Sequence, residues 1–104
     1  MSVFEIDVDE LQGHHAAGAV IIDVRELHEY EEAHVPGVVL IPLGEVADRV
    51  DDFRHPGPVY LICRSGARSR RAAEYLETQG IEAINVAGGT RAWIDAGFPV
   101  ESGR

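Results

Sequence analysis

Cysteine, lysine and long hydrophobic stretches are scarce or missing in this sequence of 104 residues, which has one cysteine and no lysine. A single cysteine cannot form a disulfide within the chain, so the fold must depend on a hydrophobic core. No stretch approaches the roughly 20 apolar residues that a membrane-spanning helix needs. The length suits one compact domain covering residues 1–104. Residues 1–5 lack the basic and apolar regions of a signal peptide, so we expect a cytoplasmic location and no membrane partner.

Positive charge is also scarce, and it is unevenly distributed. The nine basic residues are all arginine and face 18 acidic ones, which gives a net charge of −9. Residues 1–52 hold 13 of the acidic residues and only two arginines, whereas four arginines lie within residues 64–71. Such an acidic chain is not expected to bind nucleic acid. The local basic segment instead predicts a binding site for a small anion.

The residues of metal sites and dithiol redox sites do not occur in the required patterns. Without a second cysteine, one chain cannot resolve a disulfide by dithiol chemistry. Histidine, cysteine and carboxylate residues do not recur at the spacings of metal ligands. His14 and His15 are adjacent, so a helix would point them in different directions, and we expect both side chains to be solvated. We therefore expect neither a metal nor a cofactor.

Short apolar runs alternate with helical segments along the whole chain. Strands are predicted at residues 3–6, 19–22, 38–41, 58–62 and 81–86, and helices at about 7–17, 26–32, 42–53, 69–79 and 90–96. The helix at 42–53 has the apolar face Leu43, Val46, Val50 and Phe53. This alternation predicts an α/β fold with a mostly parallel sheet and helices on both faces. Ligands of such sheets bind beyond the carboxyl ends of the strands.

The single cysteine lies at such a strand end. Cys63 follows the apolar run at 58–62 and precedes a loop with Arg64, Gly66 and Arg68, after which a helix begins. Loop N–H groups, a helix N-terminus and two arginines would all favour the thiolate, which is the reactive form of cysteine. A lone cysteine after a strand is more often a small buried hydrophobic residue. The two arginines within five positions favour the reactive interpretation, because a structural thiol does not need them.

Four other side chains have structural interpretations. Asp23 and Arg25 follow the strand at 19–22 and are expected to form a buried or half-buried polar support, with a peripheral role of Asp23 at the pocket left open. His34 lies just before Pro36-Gly37 and is expected to hold a turn. Trp93 is expected in the core.

Three motifs together resemble a single rhodanese domain. The first is Asp23-Val24-Arg25 with Ala33-His34-Val35-Pro36-Gly37-Val38 and Ile41-Pro42, the second is Cys63-Arg64-Ser65-Gly66-Ala67-Arg68-Ser69, and the third is Asn85-Val86-Ala87-Gly88-Gly89 with Ala92-Trp93, Ala96-Gly97 and Pro99-Val100. The sequence departs from the family pattern at Ala33 and Val35, and it lacks the asparagine often found before Ile41-Pro42. These departures affect the scaffold rather than the loop.

The resemblance implies a five-stranded parallel sheet and a sulfurtransferase whose Cys63 carries sulfur as a persulfide. It implies that the substrate is bound by the rest of the loop, which consists of Arg64, Ser65, Gly66, Ala67, Arg68 and Ser69. Ser69 is a candidate for donating a hydrogen bond to sulfur and equally for capping the helix. The implied partners are a small anionic sulfur donor such as thiosulfate and an acceptor that is cyanide, a cellular thiol or a protein.

Two other functions remain open on the sequence. A sulfur-relay module that serves a dedicated protein partner would carry the same loop. A cysteine-dependent phosphatase is disfavoured, because the similar phosphatases have five residues between cysteine and arginine and this chain has four between Cys63 and Arg68. Ile62 also stands where those phosphatases have histidine.

Overall fold

The computed structural model describes residues 3–104. The prediction about the signal peptide depends partly on residues 1 and 2, which lie outside this range. Within residues 3–104, five strands and four α-helices alternate, with two 3₁₀ segments between the third and fourth strands. In chain order they are β1 (Glu5–Ile6), α1 (Val8–Ala16), β2 (Ile21–Asp23), α2 (Leu27–Glu32), β3 (Val39–Leu40), the 3₁₀ segments Leu43–Glu45 and Ala47–Phe53, β4 (Val59–Ile62), α3 (Ala67–Thr78), β5 (Ala83–Val86) and α4 (Gly89–Asp95).

The strands form one parallel sheet in the order β1-β5-β4-β2-β3. The predicted fold class is therefore confirmed. β4 is the central strand, and all four of its residues are buried. β3 lies at an edge, which explains why Val39 in its apolar run is 51% exposed. Cys63 directly follows β4. The central position of β4 therefore places Cys63 at the middle of the sheet's carboxyl edge.

The side chains of β4 alternate between two hydrophobic cores, one on each face of the sheet. Val59 and Leu61 pack into the core that includes Leu76 of α3 and Phe53 of the second 3₁₀ segment. Tyr60 and Ile62 pack into the opposite core, which contains Leu11 of α1 and the fully buried Trp93 of α4. This alternation follows from the two-residue period of a strand. It confirms the predictions of helices on both faces and of a core position for Trp93.

The helix predicted at residues 42–53 is wrong in type. The structure has two 3₁₀ segments there, and Arg49 has non-helical backbone angles of φ −123° and ψ 32°. In a 3₁₀ helix residues three apart lie on one face, and the apolar pairs Leu43–Val46 and Val50–Phe53 both have this spacing. The kink at Arg49 therefore lets both pairs face the core, where Phe53 is fully buried.

The adjacent histidines of α1 differ in their surroundings. His14 is exposed and stacks on Tyr60, with ring centroids 5.0 Å apart. His15 is half-buried, and its Nε2 is 2.8 Å from the carbonyl oxygen of Pro36. The prediction of a solvated side chain is therefore wrong for His15, because α1 turns it toward α4 and against Trp93. Among residues 3–104, no helix is both long enough and apolar enough to cross a membrane.

Candidate active site

The sulfur of Cys63 lies inside a ring of hydrogen-bond donors. The N–H of Gly66 donates to Cys63 Sγ over 3.1 Å, and the hydroxyl of Ser69 lies 3.3 Å from the same sulfur. Burial alone would raise the pKa of the Cys63 thiol, but hydrogen bonds from the Ser69 hydroxyl and from the N–H groups of Ser69, Gly66 and Ser65 outweigh it and lower the pKa below its usual range. The arrangement therefore favours the thiolate, although Cys63 is only 1% exposed.

Glycine shapes this loop at two positions. Gly66 has a φ of +108° and precedes the first residue of α3, so its left-handed backbone turns the loop N–H groups inward. Gly89 begins α4 with a φ of +60°, and a Cβ at this position would lie 2.5 Å from the carbonyl oxygen of Cys63. The N–H groups of Thr90 and Arg91 donate to the carbonyl groups of Cys63 and Arg64 over 2.8 and 3.0 Å. Because α4 binds the carbonyls of Cys63 and Arg64, it helps to hold the loop in the conformation in which the Gly66 N–H faces the sulfur.

Ser69 connects the sulfur to a buried polar network. Helix α3 begins at Ala67, two residues earlier than predicted, so Ser69 lies inside the first turn and does not cap the helix. Its hydroxyl is 2.5 Å from Asn85 Oδ1, and Asn85 Nδ2 donates to Glu5 and to the carbonyl of Gly66 over 2.8 and 3.2 Å. A hydroxyl has one proton, so Ser69 donates either to Asn85 or to Cys63 at any moment.

Asn85 and Glu5 were not among the site residues predicted from the sequence. The available signal was a polar residue inside the otherwise apolar strand Ala83–Val86, together with the presence of Asn85 in the third motif. Asn85 is fully buried and is hydrogen-bonded on both sides of its amide group. This bonding fixes the orientation of the amide, so that its oxygen faces Ser69.

Removing the hydroxyl of Ser69 is expected to raise the pKa of Cys63. A hydrogen bond to the thiolate stabilises the charged form, so Ser69→Ala favours the thiol and should slow alkylation by iodoacetamide several-fold at neutral pH. The pH profile of the alkylation rate measures this shift. Ser65→Ala is the matched control, because Ser65 contributes its backbone N–H, which the substitution retains. Equal profiles for the two variants would contradict the assigned role of the Ser69 hydroxyl.

Arg68 forms an ion pair that the sequence did not reveal. Its guanidinium group donates to both carboxylate oxygens of Glu29 in α2, over 2.7 and 2.8 Å. The hydrogen bond from Arg68 lowers the pKa of Glu29 to about 2, against the opposing effect of burial. The predicted binding of an anionic donor by Arg68 stays a prediction, and its guanidinium group is already bound to a carboxylate. Nothing in the acidic run of α2 distinguishes Glu29 as its partner.

The ion pair predicts a specific dependence of stability on pH. Because the pKa of Glu29 is lowered to about 2 in the folded protein, its stabilising contribution is present above the ordinary glutamate pKa and is lost as the pH falls toward 2. Glu29→Gln lacks this contribution at every pH. We therefore expect the difference in unfolding free energy between the wild type and Glu29→Gln to shrink between about pH 4.5 and pH 2. Urea denaturation across this range measures it, and a constant difference would exclude the ion pair.

The remaining predicted residues are placed as follows. Arg64 and Ser65 are exposed beside the loop opening, and Ala67 is the exposed first residue of α3. Asp23 is fully buried and accepts hydrogen bonds from three groups of Arg25, its backbone N–H, its Nε–H and its Nη2–H. Arg25 also donates to the carbonyl of Ala33 over 2.8 Å. The polar support predicted for this pair is therefore confirmed.

The scaffold role predicted for His34 is also confirmed. The residue is 3% exposed, and its Nδ1 lies 2.7 Å from the carbonyl oxygen of Tyr30. Its ring stacks on Tyr30 with centroids 3.7 Å apart, and its backbone pairs with that of Glu101. These contacts hold the segment after α2 and do not involve Cys63.

Comparisons with known proteins agree on the family. The model of the rhodanese-like domain family matches residues 7–96. A protein of Allochromatium vinosum named sulfurtransferase is 32% identical over 101 residues, which cover 94% of each chain. The crystal structure of a rhodanese-like domain protein from Staphylococcus aureus superposes with a TM-score of 0.85 at 35% identity, covering 96% of this chain and 100% of that one.

A shorter but more similar match is to a longer protein. The Bacillus subtilis protein named "Putative sulfur carrier protein YrkF" is 51% identical over 74 residues, which are 70% of this chain. The match covers only 40% of YrkF's own length. The names of these relatives therefore include both a sulfurtransferase and a sulfur carrier.

Proposed function

The chain belongs to the rhodanese-like domain family, and we propose that it transfers sulfane sulfur from a small anionic donor to a thiophilic acceptor through a persulfide on Cys63. A sulfurtransferase or sulfur-relay role follows from the family and from the names of the relatives. The observation that carries the finer proposal is the group of loop donors around Cys63, of which the Gly66 N–H is 3.1 Å from the sulfur. Residues 1–104 would act as one domain.

The first half-reaction would load sulfur onto the enzyme. The Cys63 thiolate attacks the outer sulfur of thiosulfate, and the sulfur–sulfur bond of the donor breaks. Its electron pair leaves with sulfite, and a new bond joins Cys63 Sγ to the transferred sulfur. The negative charge then resides on the outer sulfur, where N–H groups of the loop residues 64–69 would stabilise it. Arg64, exposed at the loop, would attract the anionic donor.

The second half-reaction would return the enzyme to its starting state. A nucleophile such as cyanide or a thiolate attacks the outer sulfur, and the bond to Cys63 Sγ breaks. The electron pair returns to Cys63 as the thiolate that the Ser69 hydroxyl and the loop N–H groups stabilise. The same donors therefore stabilise the nucleophile of the first step and the leaving group of the second. A cytoplasmic location is part of the proposal, since a reducing compartment keeps the thiol free.

Incubation with thiosulfate tests the loading step directly. We expect the intact mass of the protein to rise by one sulfur atom, one sulfite to be released per chain, and a reductant to reverse the change. Added cyanide should then restore the original mass and form thiocyanate. A protein that stays unmodified by thiosulfate does not use this donor.

The similarity to YrkF favours a sulfur-relay module as the second candidate. Such a module would receive sulfur from a partner protein and would turn over thiosulfate and cyanide only slowly. Loading by a low-molecular-weight persulfide, without loading by thiosulfate, would support this candidate over thiosulfate sulfurtransferase activity.

A further inference from the structure

A cavity of about 330 Å³ opens beside the active loop, between α2 and α4. It adjoins the active loop because Arg64, the next residue after Cys63, lines it, and because the N–H of Thr90 in its wall donates to the backbone carbonyl of Cys63 over 2.8 Å. Its volume lies in the range of sites for organic molecules. Cyanide would fill only a small part of it.

One polar group in the wall of this cavity has no partner. Thr90 is 2% exposed, and its Oγ1 is buried without a hydrogen bond to any residue of the described part of the chain. Leaving a buried hydroxyl without a hydrogen-bond partner destabilises the protein. The hydroxyl would be satisfied by a polar ligand atom in the cavity, so it points to a ligand with a hydrogen-bonding group.

The charges of the cavity are divided between its two walls. Two of the charged lining residues are neutralised within the protein, because Arg25 is paired with Asp23 and Glu29 with Arg68. The wall formed by the loop and α4 then retains Arg64 and Arg91.

Arg91 has only a weak competing partner. Its Nε is 3.6 Å from Asp95, and both side chains are 67% exposed, so this surface pair contributes little. The α2 wall retains the carboxylate of Glu32 and also includes His28. One wall is thus positive and the other negative.

We propose that this cavity binds the sulfur acceptor and that the acceptor is a zwitterionic amino-acid thiol. Its carboxylate binds Arg64, Arg91 and the Thr90 hydroxyl, and its ammonium group binds Glu32. This inference rests on the proposed sulfur transfer through Cys63. The thiolate of the acceptor attacks the outer sulfur of the persulfide, the bond to Cys63 Sγ breaks, and its electron pair returns to Cys63. The products are the Cys63 thiolate and the persulfide of the acceptor, so no oxidant or reductant is needed.

Four small thiols test the assignment of charge. Cysteine carries both groups, 3-mercaptopropionate only the carboxylate, cysteamine only the ammonium group, and 2-mercaptoethanol neither. The protein is first loaded with sulfur, and the loading is verified by intact mass. The rate of sulfur transfer to each thiol is then divided by the same protein's rate with 2-mercaptoethanol. This normalised rate is compared between variant and wild type for each thiol. The intrinsic reactivity of the thiol is the same in both and cancels from the comparison.

Arg91→Gln and Thr90→Val should lower the normalised rate about five- to tenfold for cysteine and 3-mercaptopropionate and leave cysteamine unaffected. Glu32→Gln should lower it for cysteine and cysteamine and leave 3-mercaptopropionate unaffected. Arg54→Gln, whose charge lies outside this cavity and pairs with Asp51 over 2.9 Å, is the matched control and should change none of the ratios.

The assignment of a zwitterion would be overturned if the normalised rate of sulfur transfer fell by the same factor for every thiol, whatever its charge. It would also be overturned if the rate fell in only one of the variants Arg91→Gln and Glu32→Gln. A protein that loads sulfur but treats the four thiols alike refutes this inference and leaves the proposed function intact. Failure of Cys63 to load sulfur from any donor refutes the proposed function itself.

Discussion

Cys63→Ser is expected to abolish sulfur loading and to lower thiosulfate–cyanide turnover by roughly 10⁴-fold or more, as the loss of a covalent nucleophile does in other enzymes. A serine hydroxyl has nearly the shape of the thiol but is not ionised near neutral pH and cannot form a persulfide. Intact mass after incubation with thiosulfate measures the loading, and a steady-state assay measures the turnover. The effect is large because no other cysteine exists in the sequence to replace Cys63.

The fold of this variant provides the control. Cys63 belongs to the buried core that also contains Leu61 and Ala73, and the oxygen of a serine there is expected to accept hydrogen bonds from the loop N–H groups. Thermal unfolding of Cys63→Ser should therefore remain cooperative. A gain of one sulfur atom by the serine variant, at the wild-type rate, would place the chemistry elsewhere in the chain and would end the proposed mechanism.

Gly89→Ala is expected to destabilise the protein by roughly 3 kcal/mol or more and to abolish sulfur loading as well. Its φ of +60° is strained for a residue with a side chain, and the added Cβ would lie 2.5 and 2.6 Å from the carbonyl oxygens of Cys63 and Arg64. These atoms belong to backbone that cannot turn aside as a flexible side chain would. The active loop must therefore move away from α4, and the N–H groups around the sulfur move with it. Urea denaturation and the alkylation rate of Cys63 measure the two effects.

Gly97→Ala separates backbone strain from collision. Gly97 has a φ of +81°, but nothing lies within 4 Å of a Cβ at this position. The control variant should lose only the strain energy of about 1–2 kcal/mol and should load sulfur normally. If Gly89→Ala were no worse than Gly97→Ala in either measurement, the close approach of Gly89 to the loop would have no energetic importance.

The sequence was sufficient for the fold because the fold depends on local patterns. Apolar runs of strand length and glycine stops recur in a regular order, and the structure places strands and helices in that order. The prediction of an α-helix at residues 42–53 is wrong because two kinds of helix share the same spacing of apolar residues. The apolar spacing of Leu43, Val46, Val50 and Phe53 fits an α-helix as well as two 3₁₀ segments, and only tertiary packing decides between them.

Within the candidate site, the sequence located the loop but not its connections. Cys63, Gly66 and Ser69 are close in sequence, so one motif contains them all. The groups that bind this loop come from distant positions, as Glu29 does on Arg68 and Asn85 on Ser69. Pairings across 39 and 16 residues depend on how the strands are ordered. A single sequence without relatives does not specify them.

The pairing of the first strand with the last has a consequence for synthesis on the ribosome. β1 pairs in parallel with β5, and Glu5 in β1 accepts a hydrogen bond from Asn85 in β5. Within the described sheet, the first strand thus has no partner until β5 has been translated. A nascent chain that ends before residue 83 can build the β2–β4 pair but not the network behind Ser69. The hydrogen-bond network that acts on the Cys63 sulfur is therefore completed late, only after β5 has emerged from the exit tunnel.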